Sequence, residues 1–363
     1  MAQSAQLSPG VLVTETNLTT IVPSVLTTAG AYAGAFNWGP ANKIINVDTE
    51  KTLINIFGKP DSNTAASFFS AASFLAYGNN LQVVRAANTR TLNATSQGTG
   101  YQVANSDVFQ YSLLPSGASN SHGAFTARYP GALGNSLKVS INTANTTLNA
   151  SATFANWQYK SSFTAAPNTS SYVASSGGAY DQMHVIVIDE DGLFSNGQKG
   201  TVLEVFPFLS KAADGKNDDG SPSYYRTVLR NQSRYVYALG PTDYANTSST
   251  WGTNAAGTSF QGISVGATSS LSGGSTVSVQ DADISTSWDV LANPDTVDVS
   301  SMGSSPNSSY SFVIISFPSS LFFSVFFSFF FFFFFFSCSG SKITSSLNVF
   351  SKRKDFHLSF ISL

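Results

Sequence analysis

The chain has 363 residues, of which 42% are hydrophobic and only 10% charged, with a formal net charge of −2. Sparse charge beside 13% aromatic residues argues against a disordered chain, and the length is enough to bury a large core. Residues 311–363 hold Lys342, Lys352, Arg353 and Lys354 against Asp355 alone, which leaves 14 Lys+Arg against 19 Asp+Glu in the first 310 residues. A mildly acidic body without a basic stripe lacks the footprint of a nucleic-acid binder. The single Cys338 excludes an intramolecular disulfide framework. The first ten residues show neither a basic nor an apolar signal region, so no secretory signal is expected.

Residues 7–22 carry two apolar stretches, Val11-Leu12-Val13 and Ile21-Val22, punctuated by Pro9-Gly10 and Pro23. They hold too little apolar surface to fold alone and read as an extended arm that pairs with something else. Ala29–Phe36 alternates small and aromatic residues and predicts a buried strand ending at the turn Trp38-Gly39-Pro40. Ile44–Val47 predicts a second short strand. Asp48 or Thr49 can cap a helix through Phe57, closed by Gly58 with Pro60 just beyond. A second helix begins at Asp61 to Asn63, with Phe68, Ala71, Ala72 and Leu75 on one face, and ends at Gly78. Leu81–Arg85 is again a strand. Strand, helices and strand make an α/β sandwich unit.

Residues 88–122 are polar and turn-rich and read as an irregular excursion. Strand-like runs resume at Ser136–Ile141, His184–Asp189 and Thr201–Phe206. Arg226–Gln232 reads as helix and Tyr235–Leu239 as strand. Ile284, Trp288 and Leu291 mark one face of a helix begun near Asp281–Asp283, stopped by Asn293-Pro294 before Thr296–Val299. The fold class expected is α+β and multidomain: an α/β core unit with an inserted mixed β-rich domain, and a C-terminal tail that is not natively folded.

That tail differs in kind. Between Leu321 and Phe336, 12 of 16 residues are Phe, and 17 of the 30 Phe fall in the last 53 residues. Ser311–Phe336 is long enough to span a bilayer with Lys352-Arg353-Lys354 as its cytoplasmic flank, which would make a membrane-anchored surface protein. Natural spans mix Leu, Ile, Val, Ala and Gly, whereas a Phe homopolymer is what a pyrimidine-rich DNA tract yields in an arbitrary frame. The composition therefore favours a segment foreign to the protein, and residues 304–363 are set aside from the fold.

Candidate chemistry is thin. Gly262-Ile263-Ser264-Val265-Gly266 matches a nucleophile elbow, which needs a strand before it and a helix after it. Ala267-Thr268-Ser269-Ser270 and Gly273-Gly274 follow instead, which is loop composition, and the downstream histidine could only be His357. A serine hydrolase at Ser264 is the weakest alternative. Asp189-Glu190-Asp191-Gly192 could hold Ca²⁺, yet it lacks the alternating ligands of a calcium loop and reads first as a hairpin turn. Asp214–Asp219 reads as a solvated loop. His122, His184 and His357 stand far apart, with no metal-ligand spacing and no glycine-rich phosphate loop. No catalytic, metal or cofactor residue is assigned.

Five stretches in order carry a resemblance. They are Ser8-Pro9-Gly10-Val11 leading into Val13-Thr14-Glu15, then Gly34-Ala35-Phe36-Asn37-Trp38-Gly39-Pro40 with Asn55-Ile56-Phe57-Gly58-Lys59-Pro60. Phe69–Asn79 running into Leu81–Ala86 is the third, and Tyr129-Pro130-Gly131 with Leu133-Gly134-Asn135 the fourth. Leu271–Gly274 with Trp288 and Asp295–Val299 closes the set. Over residues 8–300 the chain resembles the contractile-tail sheath proteins of myophages.

The resemblance implies a structural virion subunit, not an enzyme, that polymerises with itself as rings or a helix around the tail tube. It implies tail tube and baseplate proteins as further partners, assembly in the host cytoplasm, no cofactor, no nucleic acid and no integral membrane role. Val11, Leu12, Val13, Thr14 and Glu15 would form the arm that pairs with neighbouring subunits. Phe36, Trp38, Gly39, Pro40, Phe57 and Gly58 would be the core motif. Residues 1–23 would be the arm, 24–87 and 284–303 parts of an inner core domain, 88–122 a variable excursion and 123–283 an inserted outer domain. The family pattern stops after Ser300, so the chain as written is expected to expose core surface and to aggregate or fail to make sheath.

Overall fold

The computed structural model describes residues 29–114, 119–145, 150–241, 250–263, 267–292, 301–304 and 314–315. Two compact units divide the chain, Met1–Pro318 and Ser319–Leu363, and every described residue lies in the first. The expected arm, the strand Thr296–Val299 and nearly all of the Phe-rich tail fall outside the described residues.

The first sheet is built from β1 (Ala29–Ala35), β2 (Ile44–Val47), β3 (Asn80–Ala86), β10 (Ser301–Ser304) and β11 (Ile314–Ile315), in the order β11-β10-β1-β3-β2. β1 runs parallel to both β3 and β10, while β2 is antiparallel to β3. Alternation along the strands sends side chains to two faces. Tyr32, Leu81 and Val83 meet α1 (Glu50–Phe57) and α2 (Ala65–Leu75) through Leu53, Phe57, Phe68 and Ala71. Ala31 and Val84 meet a helix from much later in the chain, Asp281–Leu291, through Leu291 and Trp288. The small residues of β1 have a steric cause. A Cβ on Gly30 would lie 2.5 Å from the tip of the Phe74 ring of α2, so glycine lets that ring lie directly on the strand.

Local signals match this unit closely. Thr49, the second of the two expected caps, accepts from the Thr52 amide at 3.2 Å, and Gly58 closes α1 at φ +76°. The second helix starts later than expected. Asp61 accepts from the Asn63 and Thr64 amides at 2.9 Å, which holds a turn ahead of Ala65.

The second sheet is antiparallel, in the order β7-β6-β5-β9: β5 (Leu137–Thr143), β6 (Gln182–Asp189), β7 (Thr201–Ser210) and β9 (Ala267–Ser270). A separate pair joins β4 (Phe125–Ala127) to β8 (Val236–Ala238), with α3 (Tyr225–Gln232) leading into it and α4 (Asp281–Leu291) closing the series. Val139, Ile141, Val185, Val187, Leu229 and Val236 lie in one buried cluster.

Three expectations need correction. Ala267–Ser270 has loop composition, yet it is a strand, because β5 offers a free ladder edge that it fills from Lys138↔Ser270 to Ile141↔Ala267. Asp191-Gly192 does not make a tight turn, since the β6–β7 connection covers residues 190–200. Residues 88–122 are not simply irregular. Ser106–Val108 runs into a π-helical turn at Phe109–Leu113, and Val103, Phe109 and Leu113 bury themselves against Tyr237 and Leu239. Among the described residues no helix is long and apolar enough to cross a membrane.

Candidate functional site: the joint between the two sheets

The loop after β1 turns at Phe36-Asn37-Trp38-Gly39-Pro40, and that corner leaves its own sheet. Phe36 stays on the α/β side, with its ring 4.8 Å from that of Phe57. Trp38 faces the other way and joins the core of the β-rich region. Its indole is nearly buried and meets Tyr129 at 5.3 Å and Phe194 at 5.0 Å, both edge to face. The Trp38 amide donates to the Phe57 carbonyl at 3.0 Å, so the corner is tied to the end of α1. Gly39 has φ +96°, and a Cβ there would lie 2.8 Å from the Ile56 carbonyl oxygen; only glycine fits this bend. Pro40 is buried, and Gly58 packs its backbone against the Trp38 Cβ.

Arg85, the last charged residue of β3, holds this corner. It is 3% exposed. Its Nε donates to the Phe36 carbonyl at 2.9 Å, and Nη1 donates to Gly39 at 2.7 Å. Nη2 reaches the Pro130 carbonyl, also at 2.7 Å, across to the β-rich region. Among the described residues no carboxylate pairs with it, and backbone carbonyl dipoles face the charge. Burial pulls the guanidinium pKa down from its ordinary value to about 10, with Tyr129 pushing it slightly up, so it stays charged at neutral pH. A buried cation whose donors each meet a backbone carbonyl fixes geometry, because no other side chain supplies that planar fork.

The facing loop is organised by Asp189, which is fully buried. Ser136 Oγ, the amides of Gly192, Leu193, Phe194 and Ser195, and Ser195 Oγ all donate to its carboxylate. Burial pushes the pKa up, but the hydroxyls of Ser136 and Ser195 and the backbone amides of Phe194 and Ser195 outweigh it and hold it below the usual range. This nest presents Phe194 to Trp38. It also leaves Asp189 no free lone pairs for the Ca²⁺ considered from sequence.

Further contacts cross the joint at its rim. Arg234 Nη2 donates to the Asn55 carbonyl at 2.9 Å, and Lys59 donates to the Asn196 side-chain oxygen. A cleft of about 980 Å³ lies alongside, lined by Asn55, Lys59, Asp61, Leu193, Asn196 and Arg234 among others.

The remaining sequence candidates fall elsewhere. Ser264 and Val11–Glu15 lie outside the described residues. Gly262 packs hard on β5, where a Cβ would sit 2.1 Å from the Ala144 oxygen, and the Ile263 amide donates to Thr143 Oγ1 at 2.9 Å. Asp214 accepts from Tyr172 and the Ala255 amide, and Asp219 from Ser221. Among the described residues no group of three or more His, Cys, Asp or Glu could hold a metal ion. Sequence reading placed Arg85 only at the end of a strand. Its signal was a cation closing an apolar run in a strand covered on both faces, where charge needs partners.

Comparison with known proteins bears on this joint directly. A family model described as "Tail sheath protein Gp18 domain III N-terminal region" matches residues 27–86, which hold β1 through β3, the Phe36–Pro40 corner and Arg85. This stretch is thus similar to one part of the tail sheath proteins. The chain is 46% identical over 90 residues to the tail sheath protein of Vibrio phage KVP40, covering 24% of this chain and 13% of that one. It is 45% identical over 94 residues to the tail sheath protein of Enterobacteria phage T4, covering 26% and 14%. The tail sheath protein of Salmonella phage ViI is 28% identical over 192 residues, covering 52% and 27%. The matched stretches thus span from about an eighth to about a quarter of these relatives' own lengths. Among solved structures, the sheath tail protein Lin1278 from Listeria innocua aligns with a TM-score of 0.36 at 14% identity, covering 76% of this chain and 40% of that one. A sheath tail protein from Desulfitobacterium hafniense aligns with the same score and identity, over 81% and 45%.

Proposed function

We propose that this chain is the N-terminal part of a contractile tail sheath subunit, which polymerises around a tail tube and contracts to drive it through the host envelope. The observation that carries this reading is the 45–46% identity over 90 residues or more to phage tail sheath proteins, together with the family match over the unit that holds the joint. A sheath subunit must keep its shape within a polymer yet move as a body when the lattice rearranges. A joint made of a buried tryptophan and an arginine bound to fixed carbonyls suits that task, because it transmits force without a hinge. On this reading the work of contraction comes from metastable packing between subunits and not from catalysis.

The proposed organisation follows the sequence reading. Residues 24–87 and 284–303 form an inner core domain, 123–283 an outward domain inserted into it, and Val11–Glu15 an arm that adds to a neighbour's sheet. The placement of Asp281–Leu291 and Ser301–Ser304 on the first sheet supports the return of the chain to the core.

A transplant tests the function. Residues 29–86 replace their counterpart in the Vibrio phage KVP40 tail sheath protein, and the chimera is supplied to a phage lacking its own sheath. The expected result is sheathed tails that shorten on triggering, seen by electron microscopy. A chimera that is soluble and folded but never assembles overturns the proposal.

A further inference from the structure

His184 lies on β6 where the ladder to β7 slips. Met183 pairs with Leu209 and Val185 with Phe206, so Pro207 and Phe208 bulge opposite the histidine. Proline has no amide to donate, and Phe208 is held at φ +52°. The Phe208 amide is satisfied by the His184 ring, donating to Nδ1 at 3.0 Å. Nδ1 must therefore be the unprotonated nitrogen. Nε2 carries the hydrogen and donates to the Ala165 carbonyl at 2.8 Å. The ring thus bridges two stretches of backbone, the β7 bulge and the covering segment 154–165.

The box around the ring is aromatic. Phe163 stacks on it at 4.2 Å and 12°, and Trp157 lies parallel at 6.4 Å. Phe208 and Phe154 meet it at 4.7 and 5.8 Å. His184 is fully buried. The titratable groups on the surrounding elements are engaged elsewhere. Asp181 is bound by Ser170 and Ser210, Asp189 by Ser136 and Ser195, and Glu204 by Ser233 and the Arg234 amide. Lys138 on β5 pairs with Glu190, Lys160 on the covering segment donates to Ala155, and Tyr159 meets Trp157. Among the described residues none of them supplies a counter-charge to the ring.

We infer that His184 is an acid-sensitive latch: neutral, it closes residues 154–165 over the β6–β7 bulge, and a proton from solvent on Nδ1 opens it. That proton converts the acceptor of the Phe208 amide into a donor, so two N–H groups face each other in a buried site. Stacked rings attract a cation, but attraction through the ring faces cannot replace the lost acceptor in the ring plane. Burial already lowers the imidazole pKa, against the opposing effect of the Ala165 bond. The sign follows: the unfolded chain takes a proton near its ordinary value while the folded ring resists. The latch is fully present above about pH 6.5 and is lost as pH falls through the lowered folded value. This inference stands independently of the sheath reading.

Hydrogen exchange on the full chain at pH 7.5 and 5.0, corrected for intrinsic rates, tests it. Protection of residues 154–165 and of Phe208 is expected to fall at least about tenfold at the lower pH, while residues 50–57 change by less than twofold. In His184→Gln, which keeps a donor and an acceptor but does not titrate, that fall disappears. Should the variant fail to fold, ¹⁵N spectra of the histidine rings in the unsubstituted chain decide. The Nε2–H tautomer is expected at pH 7.5, with protonation and loss of protection at the same pH. An Nδ1–H tautomer at neutral pH, a ring that takes its proton with no change in exchange, or an undiminished response in the glutamine variant would each overturn the latch.

Discussion

The two sheets solve the same burial problem with different chemistry. Around β1 and β3 the buried polar residues are few, and among the described residues the one fully desolvated charge there is Arg85, at the edge that faces the other sheet. Around β5 and β6 the interior holds Asp181, His184, Asp189 and Lys211, all at 0% exposure. The first region is held by shape: a strand trimmed to glycine where the Phe74 ring lies on it, and rings interleaved between. The second has an apolar core of its own and adds to it polar groups that each answer a specific gap in the backbone. Asp189 gathers four amides of a long loop, His184 fills a bulge, and Lys211 donates to the carbonyls of Ala144 and Gln261 at 3.0 and 2.8 Å beneath the Trp251 ring. The difference teaches that apolar packing tolerates pH while a polar interior does not, so acid and base sensitivity should reside in the β-rich region.

The largest expected effect breaks the comparison at its meeting point. Arg85→Met leaves the Phe36, Gly39 and Pro130 carbonyls buried without donors, at about 1–3 kcal/mol each. A loss of about 4 kcal/mol or more is expected in urea unfolding followed by tryptophan fluorescence. A loss below about 1 kcal/mol would mean that the corner does not depend on the guanidinium.

A smaller effect sharpens the contrast in pH response. Burial, opposed in part by Asp181, pulls the Lys211 pKa from its ordinary 10.5 to about 7. Between these values the unfolded chain binds more protons than the folded one, so stability rises with pH across that window. A gain of about 2 kcal/mol is expected between pH 6.5 and 8.5, below the range in which Arg85 and Tyr237, the latter pushed up to about 12 by burial, begin to titrate. Lys211→Met should flatten that slope. The same slope in the variant would place its source outside this group.

The smallest effect belongs to the α/β region. Thr49→Ala removes the cap of α1 and should cost about 1 kcal/mol at every pH from 5 to 9, measured by the urea midpoint. A pH-dependent loss would show that charge enters this region after all.

How much was legible follows the same divide. Ile44–Val47, the cap at Thr49, the stop at Gly58 and the Ile284, Trp288, Leu291 face could be read because each signal lies within one turn or one strand of its effect. Phe36, Trp38, Gly39 and Pro40 stood out as a motif, and Arg85 was placed within a strand. That Trp38 and Arg85 work across two sheets could not be read, since their partners Tyr129, Pro130 and Phe194 lie some 45 to 156 positions away. Ala267–Ser270 was missed for a related reason: a strand at a sheet edge takes its state from the neighbour that offers a ladder, not from its own composition. The acidic run at Asp189 drew attention as a metal candidate because sequence shows carboxylates but not the amides that will surround them.

By itself, then, the sequence determined the α/β unit, the polar character of residues 88–122 and the kinship of residues 27–86 to tail sheath proteins, because these rest on local periodicity and on motifs of a few residues. Only the tertiary structure decided what the buried charges do. Desolvation makes a lone Arg, Lys, Asp or His costly wherever it is not met by partners, and those partners are backbone groups brought together only when distant strands pair.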